Sequence, residues 1–494
     1  MKARPHEFAA IFRPKSHAVI GASADETKFG GLFLRALLTF GYPGRLYPVN
    51  PGETNIFGLK TFARVADIPD PVEFATITTP APTVPAIVEE CLAGGIKAVQ
   101  ILSSGFREAG PEGQRLEEQI AATAARGIRV IGPNCFGVYS PAGGLTILPG
   151  AALPRDSGTV ALISQSGGYA IRGAERACGW GIRFSQVVSY GNGCDINECD
   201  LLEYFCHDPN TKIMLSYIEG PRQGRRFFEL LRQACRTKPV ILWKGGLTGG
   251  GARAVASHTG SLAADETVWD ALFRQTGAVM VKSLDEMIDT ALAFLHLPHY
   301  SGRRLAVIGG GGAIGVAAAD ACEMGGLSVP QFSLELQSRL EAMLPPAGAS
   351  TRNPVDMGSP FPLPSAFRSV LETVLSEGEV DLVVVSELSL SVAGPAMARR
   401  MGDSGLHSLL AGAVAESAQV PVELRRKWDR PLVMVLPVES VSADDIEAEE
   451  GRRKVADYYL SQGIPVFLSL ERAVRALANV SGYYERRETL ASGE

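Results

Sequence analysis

The chain alternates between short apolar runs and longer amphipathic stretches along almost its whole length. Runs such as HAVIG, FATIT and VALIS end in small or polar turn residues, and stretches such as VPAIVEECLAGG repeat apolar positions at helical spacing. Buried strands that alternate with helices are typical of parallel βαβ units with helices on both faces of a sheet. The pattern therefore predicts an α/β protein built from doubly wound sheets.

This alternation restarts twice, at GTVALISQSGG and at RRLAVIGGGG. Each restart lies close to a segment that contains proline and glycine, as domain boundaries often do. A chain of 494 residues is also too long for a single core. We expect three doubly wound domains, with no solenoid repeat, at residues 1–142, 150–298 and 301–486.

Composition narrows the function. Lysine and arginine number 47 against 53 acidic residues, and no basic block occurs, so a nucleic-acid partner is not favoured. No apolar run approaches the roughly 20 residues that span a bilayer, and the N-terminus lacks a signal-peptide pattern, which favours a cytoplasmic protein without a membrane partner. The eight cysteines form no CxxC pair and no second histidine has ligand spacing, so we expect free thiols and no metal site.

A candidate nucleotide-like site follows the first strand, in GASADETKFGG. Gly21, Ala22 and Ser23 allow backbone N–H groups at a helix start to approach a phosphate, and Lys28 adds positive charge. Where an NAD site places an acid on the ribose, the chain has Asn50, which weakens an NAD interpretation. The turns TTPAPT, SSGFRE and GPNCFG end other strands at the same predicted edge. A tight turn that binds nothing remains the alternative.

The second predicted domain brings three chemical groups to one edge. The turn SQSGG is a candidate anion site at a helix start, Glu219 ends a strand in SYIEG, and a glycine-rich segment leads to His258 in ASHTGS. An imidazole is able to accept a phosphoryl group, and a carboxylate on its other ring nitrogen would stabilise the charged ring. The alternative is that His258 is merely exposed in a loop whose Ser257, Thr259 or Ser261 caps a helix.

These motifs together resemble the α subunit of NDP-forming acyl-CoA synthetases, of the ADP-forming acetate–CoA ligase type related to succinyl-CoA synthetase. The resemblance covers nearly the whole chain, and GARAVASHTGS is its most specific motif. It implies a Rossmann-like CoA-binding domain followed by two flavodoxin-like domains. It also implies an acyl phosphate intermediate, a phosphoryl group carried on His258, and Glu219 as the residue that steadies it.

The same resemblance assigns further site residues. Phosphate is expected at Ser166, Gly167 and Gly168. Coenzyme A is expected along the turns at the carboxyl ends of the first sheet, at Gly21, Ala22, Ser23, Lys28, Val49, Asn50, Thr79 and Pro80, with Ser103, Ser104 and Asn134 nearer its thiol.

No stretch of the sequence resembles the ATP-grasp module that binds nucleotide in this family. The resemblance therefore implies a separate ATP-grasp β subunit in an α2β2 assembly, with ATP or ADP and magnesium on that partner. The carboxylic acid is not specified. Cys194 and Asn197 stand where the family usually has small or acidic residues. This difference either alters the specificity for the acyl group or is neutral. The glycines of GGLTGGGARA predict a mobile histidine loop.

The third predicted domain opens with Gly310, Gly312 and Gly315 in a G-x-G-x-x-G pattern. The next expected strand, LSVPQF, ends without a ribose-binding acid, so we rank a subunit-docking role above NAD binding. Asn353 and Asp356 are expected to order their loop. A CoA-binding regulatory subunit without catalysis and, more distantly, an NAD-dependent dehydrogenase remain the alternative functions.

Overall fold

The computed structural model describes residues 5–147, 153–259, 266–358, 363–386, 394–395, 398–438 and 446–492, with the backbone alone at 5–7, 256–259 and 489–492. The chain divides into two compact units, Met1–Ile288 and Asp289–Glu494. Among the described residues, no helix combines the length and apolar character needed to cross a membrane.

The first sheet of the N-terminal unit is five-stranded and parallel, with a small hairpin beside it. Its strands and the hairpin are β1 Ser16–Ile20, β2 Arg45–Val49, β3 Asn55–Ile56, β4 Leu59–Lys60, β5 Phe74–Ile77, β6 Ala98–Ile101 and β7 Arg129–Ile131. The helices are α1 Pro5–Phe12, α2 Phe29–Phe40, α3 Val84–Ala93 and α4 Pro111–Ala124. The parallel order is β2-β1-β5-β6-β7.

The second sheet of this unit has six strands in the order β13-β12-β11-β9-β10-β8, and only β8 is antiparallel to its neighbour. Its strands are β8 Gly137–Tyr139, β9 Val160–Ser164, β10 Phe184–Ser189, β11 Ile213–Ile218, β12 Val240–Lys244 and β13 Val279–Val281. The helices are α5 Gly167–Gly179, α6 Glu198–His207, α7 Gly224–Cys235, α8 Gly249–Thr259 and α9 Glu266–Thr276. Helix α10, Leu284–His296, begins in this unit and continues past its last residue, Ile288. Because β8 directly follows the last strand of the first sheet, the chain itself ties the two sheets together.

The C-terminal unit contains a third sheet, again parallel, in the order β15-β14-β16-β17-β18. Its strands are β14 Leu305–Gly309, β15 Val355–Asp356, β16 Leu382–Ser386, β17 Leu432–Val435 and β18 Val466–Phe467. The helices are α11 Gly312–Met324, α12 Leu334–Glu341, α13 Pro364–Glu377, α14 Ser404–Trp428, α15 Ile446–Ser461 and α16 Leu470–Ser492.

All three described sheets are doubly wound, and their parallel strands have the same order, with the antiparallel β8 added at one edge of the second sheet. In each, the first strand of the series lies between the second and the third, so the winding reverses between β1 and β5, between β9 and β11, and between β14 and β16. These first strands are buried along their whole length, as expected of central parallel strands covered on both faces. The predicted fold class is confirmed, and ligands of such sheets bind where the winding reverses.

The predicted strand at LSVPQF is wrong. Of these residues only Ser328 forms a bridge, to Arg304, and the place beside β14 belongs to β15 in the NPVDM segment. Pro330 has no N–H to donate to a ladder. The side chain of Asn353 instead accepts from the Val307 N–H (3.0 Å) and donates to the carbonyls of Leu305 (2.9 Å) and Pro330 (2.8 Å), replacing strand pairing there.

The histidine segment also differs from its predicted form. The GGGARAVASHT stretch is the helix α8, and His258 lies in its last turn rather than in a glycine-rich loop. Thr248 caps this helix, because its hydroxyl accepts from the Gly251 N–H (3.1 Å) and its carbonyl from the Ala252 N–H (2.7 Å). Val255 packs against Gly246, which adds tertiary support to a sequence of low helix propensity.

Candidate functional site

A cavity of about 430 Å³ opens at the carboxyl ends of β5, β6 and β7. It also reaches Phe29 at the start of α2, the helix that follows β1, so it lies beside the point where the first sheet reverses its winding. Five of the predicted CoA residues line it, from three different loops: Thr79, Pro80, Ser103, Ser104 and Asn134. The remaining lining residues are Phe29, Thr78, Leu102, Cys135 and Phe136. The walls are thus partly apolar, with hydroxyl and amide groups near one another, as small-molecule sites usually are.

Hydrogen bonds to backbone carbonyls hold these loops to one another. The Ser103 hydroxyl donates to the Thr79 carbonyl (2.5 Å), and the Asn134 N–H donates to the Ser103 carbonyl (2.9 Å). Burial raises the pKa of the Cys135 thiol to about 12, so this cavity residue stays protonated at neutral pH. The loops therefore form a single wall.

The other predicted CoA residues surround the start of α2, next to the cavity. Gly21 has a φ of 86° and donates its N–H to the Val49 carbonyl (2.9 Å). Both ends of the Asn50 side-chain amide are bonded within the protein: it donates to the Ala22 carbonyl (2.7 Å) and accepts from the Gly52 N–H (2.8 Å). Asn50 thus ties the end of β2 to the turn after β1.

Two further residues of this turn differ in exposure. The Ser23 side chain is buried and accepts from the Asp25 N–H (3.1 Å). Lys28 is exposed and directly precedes α2. Its ammonium is available to an anion at the helix start, where the helix dipole adds positive potential.

The predicted phosphate turn lies where the second sheet reverses its winding. Ser166 is the N-cap of α5, with its hydroxyl accepting from the Tyr169 N–H (3.4 Å), and Gly167 and Gly168 are the first two residues of the helix. Gln165 connects this turn to the neighbouring strand, because its side-chain oxygen accepts from the Glu219 N–H (2.8 Å). The turn and Glu219 are therefore adjacent, as predicted from the sequence.

Glu219 is buried in a polar and charged environment. The Tyr217 hydroxyl donates to its carboxylate (3.3 Å), and burial together with this negative charge raises the pKa of Tyr217. Burial also lowers the pKa of the Lys244 ammonium, while the charge of Glu219 opposes that shift. A carboxylate here is suited to stabilise a nearby positive charge, such as a protonated or phosphorylated imidazole.

The phenyl ring of Phe136 joins the cavity to the phosphate turn. The ring lines the cavity, and a Cβ placed on Gly167 would lie 1.7 Å from its Cδ2 atom. Only glycine permits this contact between the ring and the first residue of α5. The CoA-type cavity and the phosphate turn therefore share one wall, an arrangement that sequence spacing did not reveal.

The His258 segment begins beside Glu219. Strand β12 pairs in parallel with β11, opposing Lys244 to Ile218, and the Gly245 N–H donates to the Ile218 carbonyl (2.9 Å). Helix α8 follows and packs against the short 3-10 helix Arg107–Ala109 of the cavity loop. The side chain of His258 lies outside the described residues.

The glycine-rich turn after β14 does not form an anion site. The N–H of Gly311 donates to the Asp356 carboxylate (2.9 Å), which also accepts from the Gly358 N–H (2.9 Å). A pyrophosphate would meet this negative charge at the start of α11, so the geometry disfavours NAD. Asn353 and Asp356 organise the backbone, as predicted.

Asn197 and Cys194, which we expected to depart from the family pattern, both have structural roles. Asn197 is the N-cap of α6 and forms a capping box with Asp200. Cys194 packs against the core of the first sheet, and its N–H donates to the Gly132 carbonyl (3.0 Å). All eight cysteines are free thiols in the structure.

Comparison with known proteins identifies two domain types in this chain. A CoA binding domain model matches residues 15–141, and a model of the succinyl-CoA ligase like flavodoxin domain matches residues 157–294. The fold and site thus define a CoA-binding protein of the CoA ligase type.

Relatives along the full length narrow the class. The chain is 38% identical to the acetate–CoA ligase [ADP-forming] I subunit alpha of Pyrococcus furiosus, over 95% of this chain and 96% of that one. It is also 38% identical to acetate–CoA ligase [ADP-forming] I of Archaeoglobus fulgidus, over 76% of this chain and 54% of that longer protein. A solved acetyl-coenzyme A synthetase 1 from Ca. Korarchaeum cryptofilum, in complex with phosphate and ADP, superposes with a TM-score of 0.81 at 30% identity, covering 98% of both chains. The chain belongs to the family of ADP-forming acyl-CoA synthetase α subunits.

Proposed function

We propose that this chain is the CoA-binding, phosphohistidine subunit of an ADP-forming acyl-CoA synthetase. The enzyme would interconvert a carboxylic acid, CoA and ATP with acyl-CoA, ADP and phosphate. The observation that carries the proposal is the wall shared through Phe136, because it puts a CoA-type cavity and a phosphate-binding helix start side by side.

The first step occurs at this junction. Phosphate held by the N–H groups of Gly167 and Gly168 attacks the thioester carbonyl of acyl-CoA, which forms acyl phosphate and releases CoA as its thiol. The cavity residues Ser103, Ser104 and Asn134 orient the thioester end, and the start of α2 with Lys28 holds the phosphates of CoA. The protonated thiol of Cys135 does not compete as a nucleophile.

The second step transfers the phosphoryl group to His258. A nitrogen of its imidazole attacks the phosphorus of acyl phosphate. The bond between phosphorus and the acyl oxygen breaks, and the carboxylate leaves. Glu219 stabilises the ring that carries the phosphoryl group. Its place beside the phosphate turn, and the origin of the α8 segment beside it, support this assignment.

The last step requires a partner. We propose an ATP-grasp β subunit, in an α2β2 assembly, which holds ADP and magnesium and receives the phosphoryl group from His258. The support is the α-subunit name of a relative matched over nearly its whole length. We assign residues 1–142 to CoA binding, 150–298 to the phosphohistidine domain and 301–486 to subunit docking, and a cytoplasmic location where CoA and ATP are available.

Co-expression with a candidate ATP-grasp chain, followed by a screen of carboxylic acids, tests the proposal. We expect thioester formation that depends on ATP, CoA and one class of acid. The variant His258→Asn should lose this activity while CoA affinity, measured by calorimetry, is retained. CoA binding without ligation in any assembled complex would instead favour a regulatory subunit.

A further inference from the structure

A network of charged and polar side chains, centred on one buried acid, connects the two sheets of the N-terminal unit. At its centre is Glu117 of α4, whose side chain is 1% exposed. One carboxylate oxygen accepts from the guanidinium groups of Arg107 and Arg222, both at 3.0 Å. The other accepts from the side-chain amide of Asn192 (2.8 Å) and from the Arg107 N–H (3.4 Å). The acid thus lies on a helix that covers the first sheet, and two of its partners, Asn192 and Arg222, lie on loops that follow strands of the second sheet.

Arg222 joins the Glu219 loop to this network. It lies three residues after Glu219, and its N–H donates to the buried carboxylate of Glu198 (2.8 Å). Its guanidinium donates to the Asn192 carbonyl through Nε (3.1 Å) as well as to Glu117. The loops that follow β10 and β11 are therefore held together on one buried acid.

The same network reaches the cavity and the histidine helix. The amide of Asn192 also donates to Glu108 (2.7 Å), which accepts from the Gly105 N–H (2.7 Å) in the loop that carries Ser103 and Ser104. The Asn192 N–H donates to the Pro133 carbonyl (2.9 Å), directly before Asn134 of the cavity. Helix α8 packs on the Arg107–Ala109 turn of this same loop.

We propose that Arg222 is a positioning residue for phosphoryl transfer, acting through its pair with Glu117. By fixing the Glu219 loop on the cavity loop, the pair sets the distance between the thioester, the phosphate turn and the segment that carries His258. This inference rests on the proposed function. Arg222 is not among the residues that line the cavity, so its loss should affect the rate of transfer rather than the binding of CoA.

The test uses Arg222→Met, which keeps an unbranched stem but removes the charge, in the complex with the co-expressed ATP-grasp partner. The rate of His258 phosphorylation from acyl-CoA and phosphate is measured in a single turnover, and CoA affinity by calorimetry. We expect the rate to fall by about 10- to 100-fold, the order of loss for a displacement near 1 Å, with the CoA dissociation constant unchanged within about twofold.

Two comparisons separate positioning from general damage. Arg222→Lys should regain part of the rate, and Arg222→Met combined with Glu117→Gln should be no slower than the worse single variant, because the two residues act as a pair. Arg225→Met is the matched control, since Arg225 lies three residues further on, at the start of α7, with a 92% exposed side chain that pairs with Glu229 of the same helix. It should transfer phosphate at the wild-type rate.

Three results would overturn the inference. The first is a transfer rate for Arg222→Met equal to that of Arg225→Met. The second is a loss of CoA affinity in Arg222→Met that parallels its loss of rate. The third is a loss of rate in the double variant equal to the sum of the two single losses. If Arg222→Met does not fold, Glu117→Gln and Arg222→Lys carry the same prediction, and rates equal to the control overturn it. A wild-type complex without phosphohistidine overturns the proposed function as a whole, whereas an active wild type with an unaffected Arg222→Met overturns this inference alone.

Discussion

The contact between Phe136 and Gly167 makes a sharp prediction about two adjacent glycines. Gly167→Ala places a methyl group 1.7 Å from Cδ2 and 2.4 Å from Cε2 of the ring, whereas Gly168→Ala meets, among the residues that the structure describes, only the Ser166 hydroxyl, at 4.0 Å. Carbon atoms in contact are separated by about 3.5–4.0 Å, so the ring must move by about 2 Å in the first variant. The second variant requires no movement of any described side chain.

The expected magnitudes follow from packing. Overpacking of this kind costs about 1–3 kcal/mol, while replacing a helical glycine by alanine gains up to about 1 kcal/mol in either variant. The free energy of unfolding should therefore be lower for Gly167→Ala than for Gly168→Ala by about 1–3 kcal/mol. Because the displaced ring lines the cavity, CoA should bind Gly167→Ala about tenfold more weakly, equivalent to about 1.4 kcal/mol.

Urea unfolding and calorimetric titration with CoA measure the two effects. Phe136→Ala, introduced into Gly167→Ala, should remove the steric conflict, so that the two substitutions together cost less than their sum. Equal stability and equal CoA affinity of the two glycine variants would refute the shared wall between cavity and phosphate turn.

Other predictions concern stability and specificity. His17 is wholly buried, which lowers its pKa from 6.5 to about 3, so the unfolded chain binds the proton more readily and stability falls as pH drops below 6.5. The loss at pH 5 is about 2 kcal/mol, and urea titrations of His17→Asn should lack this component; an unchanged pH dependence would contradict it. Asn353→Gly loses three hydrogen bonds, while glycine tolerates the φ of 70° at this position, so the free energy of unfolding should fall by about 3 kcal/mol. A fall below about 1 kcal/mol in urea unfolding would argue that the Asn353 side chain does not replace strand pairing beside β14. NADH should not bind, because Asp356 occupies the glycine-rich turn; saturable fluorescence quenching by NADH would reverse that conclusion.

Most of the fold could be predicted because its central strands are buried on both faces. Strands such as β9 and β16 are continuous apolar runs, and the turn residues after them mark their ends. The edge strand at LSVPQF was predicted wrongly because the Asn353 side chain competes for the same backbone groups, which depends on a residue far along the chain. Helix α8 was missed because its glycines lower helix propensity, whereas its cap at Thr248 and its tertiary packing favour the helix.

The candidate site was predictable only in part. Residues at the carboxyl ends of parallel strands share one edge, so Glu219 and the Ser166 turn were expected to meet, and they do. Phe136 and Arg222 have no comparable signal, because their roles arise where two sheets dock. The pair Arg222 and Glu117 is separated by 105 positions, a distance at which local spacing carries no information.

The most direct test of the account is the chemical form of His258 during turnover. The complex with its ATP-grasp partner is incubated with acyl-CoA and phosphate, without nucleotide, and digested under alkaline conditions because a phosphoramidate is labile in acid. Mass spectrometry should find one phosphoryl group on the peptide that contains His258, lost on acid treatment and absent when acyl-CoA is omitted. An unmodified His258 peptide from a complex that still forms thioester would contradict the account.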